Sequence, residues 1–321
     1  MLKISKISFP GLGIGEFSVN SVAFTIGGVS IAWYAILITL GMICAVGYTI
    51  YRAKQVNIRP DAILDFALVA IPLGIVGARL YYVLTKLEEF TSFGEVFNIR
   101  GGGLAIYGGI IGGAIGVIIV AVVKKINFFA IADCCTPGII LAQAIGRWGN
   151  FMNGEAFGYQ TTNFIRMGLE NNNTFSTFGT TEMVYVHPTF LYESLWNVLG
   201  FVLINLFYRH RKYDGQVFLM VFGWYGLGRM FIEGLRTDSL YTGTFRTSQV
   251  LAALIFVATL AILIVLKVKK YDKPIYCMEA SEAPEKPAKS LFSYFKKKET
   301  STSEEKADND SAKSDDEKEN K

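Results

Sequence analysis

Arginine, asparagine and glutamate recur at fixed spacings at the ends of apolar stretches in this 321-residue chain. One run reads Gly146-Arg147-Trp148-Gly149-Asn150-Phe151-Met152-Asn153-Gly154-Glu155 and closes at Gly158. Another reads Tyr225-Gly226-Leu227-Gly228-Arg229-Met230-Phe231-Ile232-Glu233. Such side chains are costly at membrane depth unless they are paired or functional. A guanidinium stays protonated in low dielectric and can fork onto phosphate oxygens. The motifs therefore point to a site that handles an anionic head group at a bilayer surface. On a helix, Tyr225, Arg229, Glu233 and Arg236 would form one stripe, and Gln143, Arg147 and Asn150 another. Two facing stripes could grip a phosphodiester from both sides. The competing reading is that the groups pair with one another as packing, Arg229 with Glu233 for example.

The elements that must carry these residues are apolar helices. The chain is 51% hydrophobic, and its mean hydropathy is +0.35. That composition is high for a soluble protein and ordinary for a polytopic membrane protein. A crossing helix needs about 20 apolar residues. Seven stretches qualify, near 22–51, 63–84, 104–123, 128–146, 188–208, 216–234 and 248–267. The expected fold is an all-α integral membrane protein of seven transmembrane helices. The stretch Val22–Tyr51 lacks a short apolar region with a small-residue cleavage site and reads as a retained helix, not a leader.

Basic residues fix the expected orientation. Arg52, Lys54 and Arg59 follow the first helix, and Lys124 and Lys125 the third. Arg209, Arg211 and Lys212 follow the fifth, and Lys267, Lys269 and Lys270 the seventh. The positive-inside rule then puts the N-terminus outside and the C-terminus inside, against a small counterweight from Lys3 and Lys6. The long connection from Phe151 to Val186 becomes a small external head between helices four and five. Residues 1–270 form the membrane domain. Residues 271–321 are rich in Lys, Glu, Asp and Ser and read as a disordered cytoplasmic tail. Its patch of Leu291, Phe292, Tyr294 and Phe295 beside Lys296–Lys298 could touch the inner leaflet.

This topology gathers the polar side chains at one level in the outer half of the bilayer. Arg79 and Tyr82 lie near the outer end of helix two, and Tyr107 in the outer first turn of helix three. Arg147 ends helix four, and His187-Pro188 opens helix five ahead of Tyr192 and Glu193. Tyr225, Arg229 and Glu233 lie toward the outer end of helix six, and Trp33 and Tyr34 in the outer part of helix one. Asp65 and Asp133 fall near inner ends, where a structural role fits better. Gly101, Gly102, Gly103, Gly108, Gly109, Gly112, Gly113 and Gly116 give a small-residue stripe suited to close helix packing. The same glycines could also let backbone N–H groups approach a phosphate near Tyr107. No Gly-Lys-Ser/Thr follows, so the stripe is not a nucleotide loop. Cys44, Cys134, Cys135 and Cys277 lack metal-ligand spacing with histidine, and neither a metal, a cofactor nor a structural disulfide is expected.

The residues carry a resemblance. The run Gly146-Arg147-x-Gly149-Asn150-Phe151-Met152-Asn153-x-Glu155-x-x-Gly158 resembles the signature of the prolipoprotein diacylglyceryl transferases. Gly102-Gly103-Leu104-Ala105-Ile106-x-Gly108-Gly109, His187-Pro188-Thr189-x-x-Tyr192-Glu193 and Tyr225-x-x-x-Arg229-x-x-x-Glu233 agree with it, as do Trp33-Tyr34 and Gly77-x-Arg79. The likeness spans roughly residues 20–270. It implies a bacterial cell-membrane enzyme that moves the diacylglyceryl group of phosphatidylglycerol onto the lipobox cysteine of a prolipoprotein signal peptide. Glycerol phosphate leaves, and no nucleic acid is involved. It further implies that Arg147 binds the lipid phosphate, with Asn150, Glu155 and Gly158 shaping the site, and that Arg229 is a second essential arginine. Glu233, Tyr225 and Tyr34 support the substrate, and Arg79, His187 and Glu193 complete the expected binding set.

Many family members carry a histidine where this chain has Tyr107. A phenol, with its ordinary pKa of about 10, is a poor base at neutral pH. Tyr107 is therefore expected either to donate a hydrogen bond to phosphate or to act as a tyrosinate beside arginines. His187 could substitute for the missing histidine, or serve only to cap and position its helix. Two readings of other classes compete: a transporter of lipid or anionic solute, and a scaffold packed through its glycines. A transporter would show internal repeats and a polar site near the midplane. No convincing repeat is present.

Overall fold

The structure, a computed structural model, describes residues 4–90, 92–97, 102–239, 241–242 and 245–277. Gly101 and the tail beyond residue 277, with its aromatic-basic patch, lie outside the described residues. The chain groups into two compact units. One comprises Met1–Arg52 and Phe129–Tyr276, and the other is built on Ala53–Phe128.

In the larger unit the helices are α1 (Trp33–Ala53), α5 (Phe128–Asn153), α6 (Asn172–Phe178), α7 (Thr189–Phe207), α8 (Gln216–Ile232) and α9 (Thr247–Val268). The other unit holds α2 (Pro60–Thr85), the single turn α3 (Phe93–Val96) and α4 (Ile106–Lys124). Six of these helices are long and apolar enough to cross a membrane: α1, α2, α4, α5, α7 and α9. The seventh expected crossing, α8, is a helix of 17 residues, about 26 Å at 1.5 Å per residue and short of a ~30 Å hydrocarbon core.

The expectation of an all-α fold is overturned. Strands β1 (Ile4–Phe9), β2 (Ile14–Asn20), β5 (Met167–Glu170) and β6 (Val184–Val186) form one antiparallel sheet in the order β2-β1-β5-β6. The connection after α5 does fold as a head, but half of its sheet comes from the N-terminus. Ile7 pairs with Leu169, and Met167 with Val186. Alternate residues of these strands bury Ile7, Phe9, Met167, Leu169, Val184 and Val186 with Phe157 and Phe190. This is the two-residue period of a half-buried sheet. Asn171 caps α6, accepting from the N–H groups of Asn173 and Thr174, and its amide also donates to Ser5 Oγ at 2.9 Å and Gly154 O at 2.8 Å. Gly154 ends α5 with φ +58°, and a Cβ there would lie 2.2 Å from Asn171 Nδ2. A side chain at that point would be both strained and crowded.

The stretch expected as one helix over 22–51 also divides. Val22–Ile26 (β3) and Val29–Ala32 (β4) form a hairpin, and α1 begins only at Trp33. Gly27 and Gly28 turn the chain with φ +55° and +80°, which suits a two-residue hairpin loop. Val22, Thr25, Ile26, Val29 and Ile31 are β-branched and favour extended backbone. The remaining strands, β7 (Tyr241–Thr242) and β8 (Phe245–Arg246), make a second short hairpin before α9.

Asp133 lies buried on α5, and its carboxylate accepts from the backbone N–H groups of Gly215 at 2.9 Å and Phe218 at 2.7 Å. It caps the start of α8 from another helix. Ile140, Ile204, Tyr208, Val217 and Val221 pack beside it. In the smaller unit, α2 and α4 meet through glycine. A Cβ on Gly77 would lie 2.5 Å from Gly108 O, one on Gly112 2.2 Å from Leu73 O, and one on Gly116 2.7 Å from Ala70 Cα. The packing reading of the stripe is therefore realised at three of its glycines. Asp65 pairs with Lys124 at 2.6 Å across the same two helices. Both aspartates thus have structural partners.

Candidate active site

The helix α5 runs past the expected end at 146 to Asn153, which carries the arginine motif on a rigid element. Arg147 Nη1 donates to Asn150 Oδ1 at 3.4 Å, three residues along the same face. Asn150 Nδ2 and Asn153 Nδ2 donate to Glu155 Oε1 at 3.2 and 2.9 Å. Glu155 is thereby drawn back over the helix end by two amides.

Glu193 is the centre of the arrangement. It sits in the second turn of α7 and is 5% exposed. Its Oε1 accepts from Arg229 Nη1 at 2.9 Å and Arg236 Nη1 at 3.2 Å, while Oε2 meets Arg147 Nη2. One carboxylate is shared by three guanidinium groups. Glu233 Oε2 faces Arg229 Nη2 at 2.7 Å and Arg236 Nε at 3.9 Å. Arg236 also forks onto both oxygens of Asp238, at 2.9 and 2.7 Å. Buried charges survive only when paired in this way. The Arg229–Glu233 pair anticipated as packing therefore exists, inside a network larger than packing requires. Among the described residues Arg147 meets only Glu193 and Asn150. A guanidinium has five N–H donors, so part of its fork is left for a ligand.

Arg236 does not continue the helical stripe expected from its spacing. The chain leaves α8 at Ile232, makes a tight turn over Glu233–Leu235 and becomes extended at Arg236. There it bridges to Gly158 in antiparallel fashion. Gly158 N donates to His187 O at 3.0 Å, and Tyr159 N to Leu235 O at 2.9 Å. A Cβ on Gly158 would lie 2.7 Å from both His187 Cβ and Leu235 O. Gly158 is thus where three segments converge, and its role is close approach of backbone. Burial alone would lower the Arg236 pKa, but Asp238, Glu193 and Glu233 outweigh it and hold it above the ordinary arginine range.

His187 stands just before α7, and Pro188 takes the cap position without a side-chain cap bond. Its Nδ1 lies 3.2 Å from Tyr192 OH, so the ring positions Tyr192 and does not cap the helix. Burial lowers its pKa from the ordinary histidine value. Tyr34, at the start of α1, lies over the backbone of Gly149, where a Cβ would come within 2.5 Å of its ring. Tyr225 lies one turn before Arg229 on α8.

Sequence reasoning missed the residues that hold α7 against α8. Trp196 and Trp224 stack with centroids 4.3 Å apart at 15°. Each indole N–H donates to the other residue's carbonyl at 3.0 Å. Each ring also covers a glycine on the facing helix, four residues after that helix's own tryptophan. A Cβ on Gly200 would meet Trp224 Nε1 at 2.2 Å, and one on Gly228 would meet Trp196 Nε1 at 2.1 Å. The repeated spacing Trp-x-x-x-Gly on both helices was the available signal. Ser194 Oγ accepts from Trp148 Nε1 at 3.2 Å and donates to Ala144 O at 3.0 Å, tying α7 to α5 beside Glu193. Arg246 completes the surround, donating to Glu233 O and, at 2.9 Å, to Tyr159 OH.

Arg79 and Tyr107 belong to the smaller unit. Arg79 donates to four backbone carbonyls: Glu95 at 2.7 Å, Val96 at 2.8 Å, Gly102 at 3.0 Å and Gly103 at 2.9 Å. Its fork faces the segment that leads into α4. Tyr107 lies in the first turn of α4, its ring 6.3 Å from that of Tyr81.

A family model for prolipoprotein diacylglyceryl transferase matches residues 21–265, which include both arginine motifs. The chain belongs to the prolipoprotein diacylglyceryl transferase family. It is 46% identical over 255 residues to the phosphatidylglycerol–prolipoprotein diacylglyceryl transferase of Enterococcus faecalis, covering 77% of this chain and 90% of that one. The protein of that name from Clostridioides difficile is 45% identical over 235 residues, 73% of this chain and 90% of its own. That of Listeria monocytogenes serotype 4a is 42% identical over 269 residues, 84% and 96% of the two chains. Within this diacylglyceryl transferase the buried ion network joins α5 and α8, the helices that carry the two arginine motifs, through Glu193 of α7.

Proposed function

We propose that this chain transfers the diacylglyceryl group of phosphatidylglycerol to the lipobox cysteine thiol of prolipoproteins and releases glycerol phosphate. It is a multi-pass membrane transferase of the bacterial cell membrane. The observation that carries the site assignment is the sharing of Glu193 by Arg147, Arg229 and Arg236. That sharing preorganises three guanidinium groups without leaving bare charge in the membrane. Alternating basic connections support seven crossings, with α8 and the turn after it as the sixth and the site toward the outer face.

The nucleophile is the substrate's own thiolate. Its sulfur forms a bond to the glyceryl carbon, and the bond from that carbon to the phosphate oxygen breaks. The electron pair and negative charge leave on glycerol phosphate. Arg147 and Arg229 face that developing charge, and preorganised electrostatics is often the largest catalytic contribution. Glu193 and Glu233 orient the arginines. Asn150 and Glu155 fix the far side of Arg147. Gly158, Tyr34, Tyr225 and His187 shape the walls. Arg79 acts by holding the segment ahead of α4. The thiol's ordinary pKa of about 8.5 falls beside positive charge, so deprotonation needs modest help, and the phenol of Tyr107 would serve as a hydrogen-bond donor and not as the base.

The test uses labelled phosphatidylglycerol and a lipobox peptide. Transfer should survive Tyr107→Phe with a loss of roughly tenfold or less, the size of one hydrogen bond. It should fall by about 10²–10³-fold with Arg147→Ala and be clearly reduced by Arg147→Lys, which keeps charge but not the fork. Full activity with lysine would reject the bidentate role.

A further inference from the structure

The hairpin of β3 and β4 has no part in the site, yet its surface is unusual. The strand register pairs Phe24 with Ile31, Thr25 with Ser30 and Ile26 with Val29. Because alternate residues face opposite sides, Phe24, Ile31, Ile26 and Val29 share one face and Thr25 and Ser30 the other. On the polar face the two hydroxyls lie 3.3 Å apart. On the apolar face Phe24 is 47% exposed, Ile26 66% and Val29 66%. Paired large apolar side chains at such exposure are a poor surface to present to water.

We infer that this hairpin is a membrane-interface element, lying flat with Phe24, Ile26, Val29 and Ile31 against the acyl-chain boundary and Thr25 and Ser30 toward water. Three further observations favour lipid as the occupant. The sequence holds no Asp, Glu, Lys or Arg from Phe17 to Tyr51, so nothing charged resists contact with the bilayer. The hairpin runs directly into α1, one of the helices able to cross the membrane. Trp33 N donates to Ser21 O at 3.0 Å, which fixes the hairpin base to the helix start. Trp33 and Tyr34 at that junction are the residue types that settle at head-group level.

The backbone sets the depth. β3 and β4 form a sheet of two strands alone, so their outer N–H and C=O groups are unpaired within the sheet. Such edges are not tolerated in hydrocarbon but are served by water and head groups at the interface. The hairpin therefore lies on the bilayer and does not cross it. Tyr34, two residues past the hairpin on α1, packs over Gly149, next to Asn150. The inference concerns placement in the membrane and stands whatever reaction the site performs.

The test is depth measurement in phosphatidylglycerol-containing vesicles. Single nitroxide labels are placed at positions 24 to 31 of the full chain after replacement of its native cysteines. Collision with oxygen, which concentrates in lipid, is compared with collision with a water-soluble nickel chelate. Labels at 26 and 29 should follow a lipid-facing reference at Ile43 and exceed labels at 25 and 30 severalfold in their oxygen-to-nickel ratio. Values matching the head residue Phe164, or no difference between the faces, would overturn the inference. So would water accessibility at 26 and 29 that disappears only when a lipobox peptide is added, which would make the face a peptide-docking surface. If the cysteine-free chain does not fold, a photoreactive side chain at 26 in the native background gives the second readout. It should yield lipid adducts in excess over one at 25, and equal yields would overturn the inference.

Discussion

Two helix pairs in this molecule solve the same packing problem in opposite ways. Where α2 meets α4, glycines at 77, 108 and 112 bring the backbones so close that a Cβ would lie 2.2–2.5 Å from a carbonyl oxygen. Where α7 meets α8, two tryptophans interlock over glycines, and Glu193 crosses to Arg229. At these glycines the first contact is made of backbone and has no room for a side chain. The second joins its helices through stacked indoles and an ion pair one turn away. The comparison teaches that a small-residue stripe marks packing, while a bulky hydrogen-bonded clamp can stand beside a polar site.

The largest expected effects separate the two contacts by readout. Arg147→Ala should cut transfer by about 10²–10³-fold, as loss of a preorganised donor does, with melting nearly unchanged. Glu193→Gln, by contrast, leaves three guanidinium groups without their shared carboxylate. Breaking a buried pair costs about 3–5 kcal/mol, so thermal stability in detergent should fall along with activity. A Glu193→Gln protein that melts like wild type would show that the arginines do not depend on it.

At α2–α4 the prediction is confined to stability. Gly112→Val should cost at least ~1–3 kcal/mol by overpacking, read as a lower melting temperature and a poorer monodisperse yield. Gly113→Ala should be silent, because its nearest neighbour, Ala70 O, lies at an ordinary 3.8 Å. Equal effects at the two glycines would remove the backbone-contact argument.

Trp196→Phe keeps an aromatic ring but loses the bond to Trp224 O. The expected cost is about 1 kcal/mol, with a several-fold drop in rate if the clamp spaces Glu193 from Arg229. The smallest effect concerns pH. The His187 pKa is lowered in the fold, so the unfolded chain binds more protons than the folded one between the folded pKa and ~6.5. Stability should therefore decline slightly as pH falls through that window, and His187→Asn should flatten the decline in acid-side melting curves.

The sequence disclosed the chemistry better than the architecture. Arg147, Asn150, Arg229, Glu193 and Glu233 were legible because charged groups at helical spacing in apolar segments are too costly to be incidental. The head sheet was not, since β1 pairs with β5 across 160 or so positions and no local pattern announces such a partner. The hairpin over 22–32 was hidden inside an apolar run, although Gly27-Gly28 between β-branched residues was its mark. The partners of Arg79 were not legible because they are backbone carbonyls, which side-chain spacing cannot reveal. Arg236 was on the expected list of neighbours but on the wrong backbone, as α8 ends four residues earlier.

The most direct test of the central claim is a stoichiometry. Purified protein is given labelled phosphatidylglycerol with and without a lipobox peptide, and glycerol phosphate and lipidated peptide are counted together. The account predicts one glycerol phosphate per thioether formed, and none without the peptide. Glycerol phosphate released without peptide, or bound lipid with no transfer by well-folded protein, would contradict it.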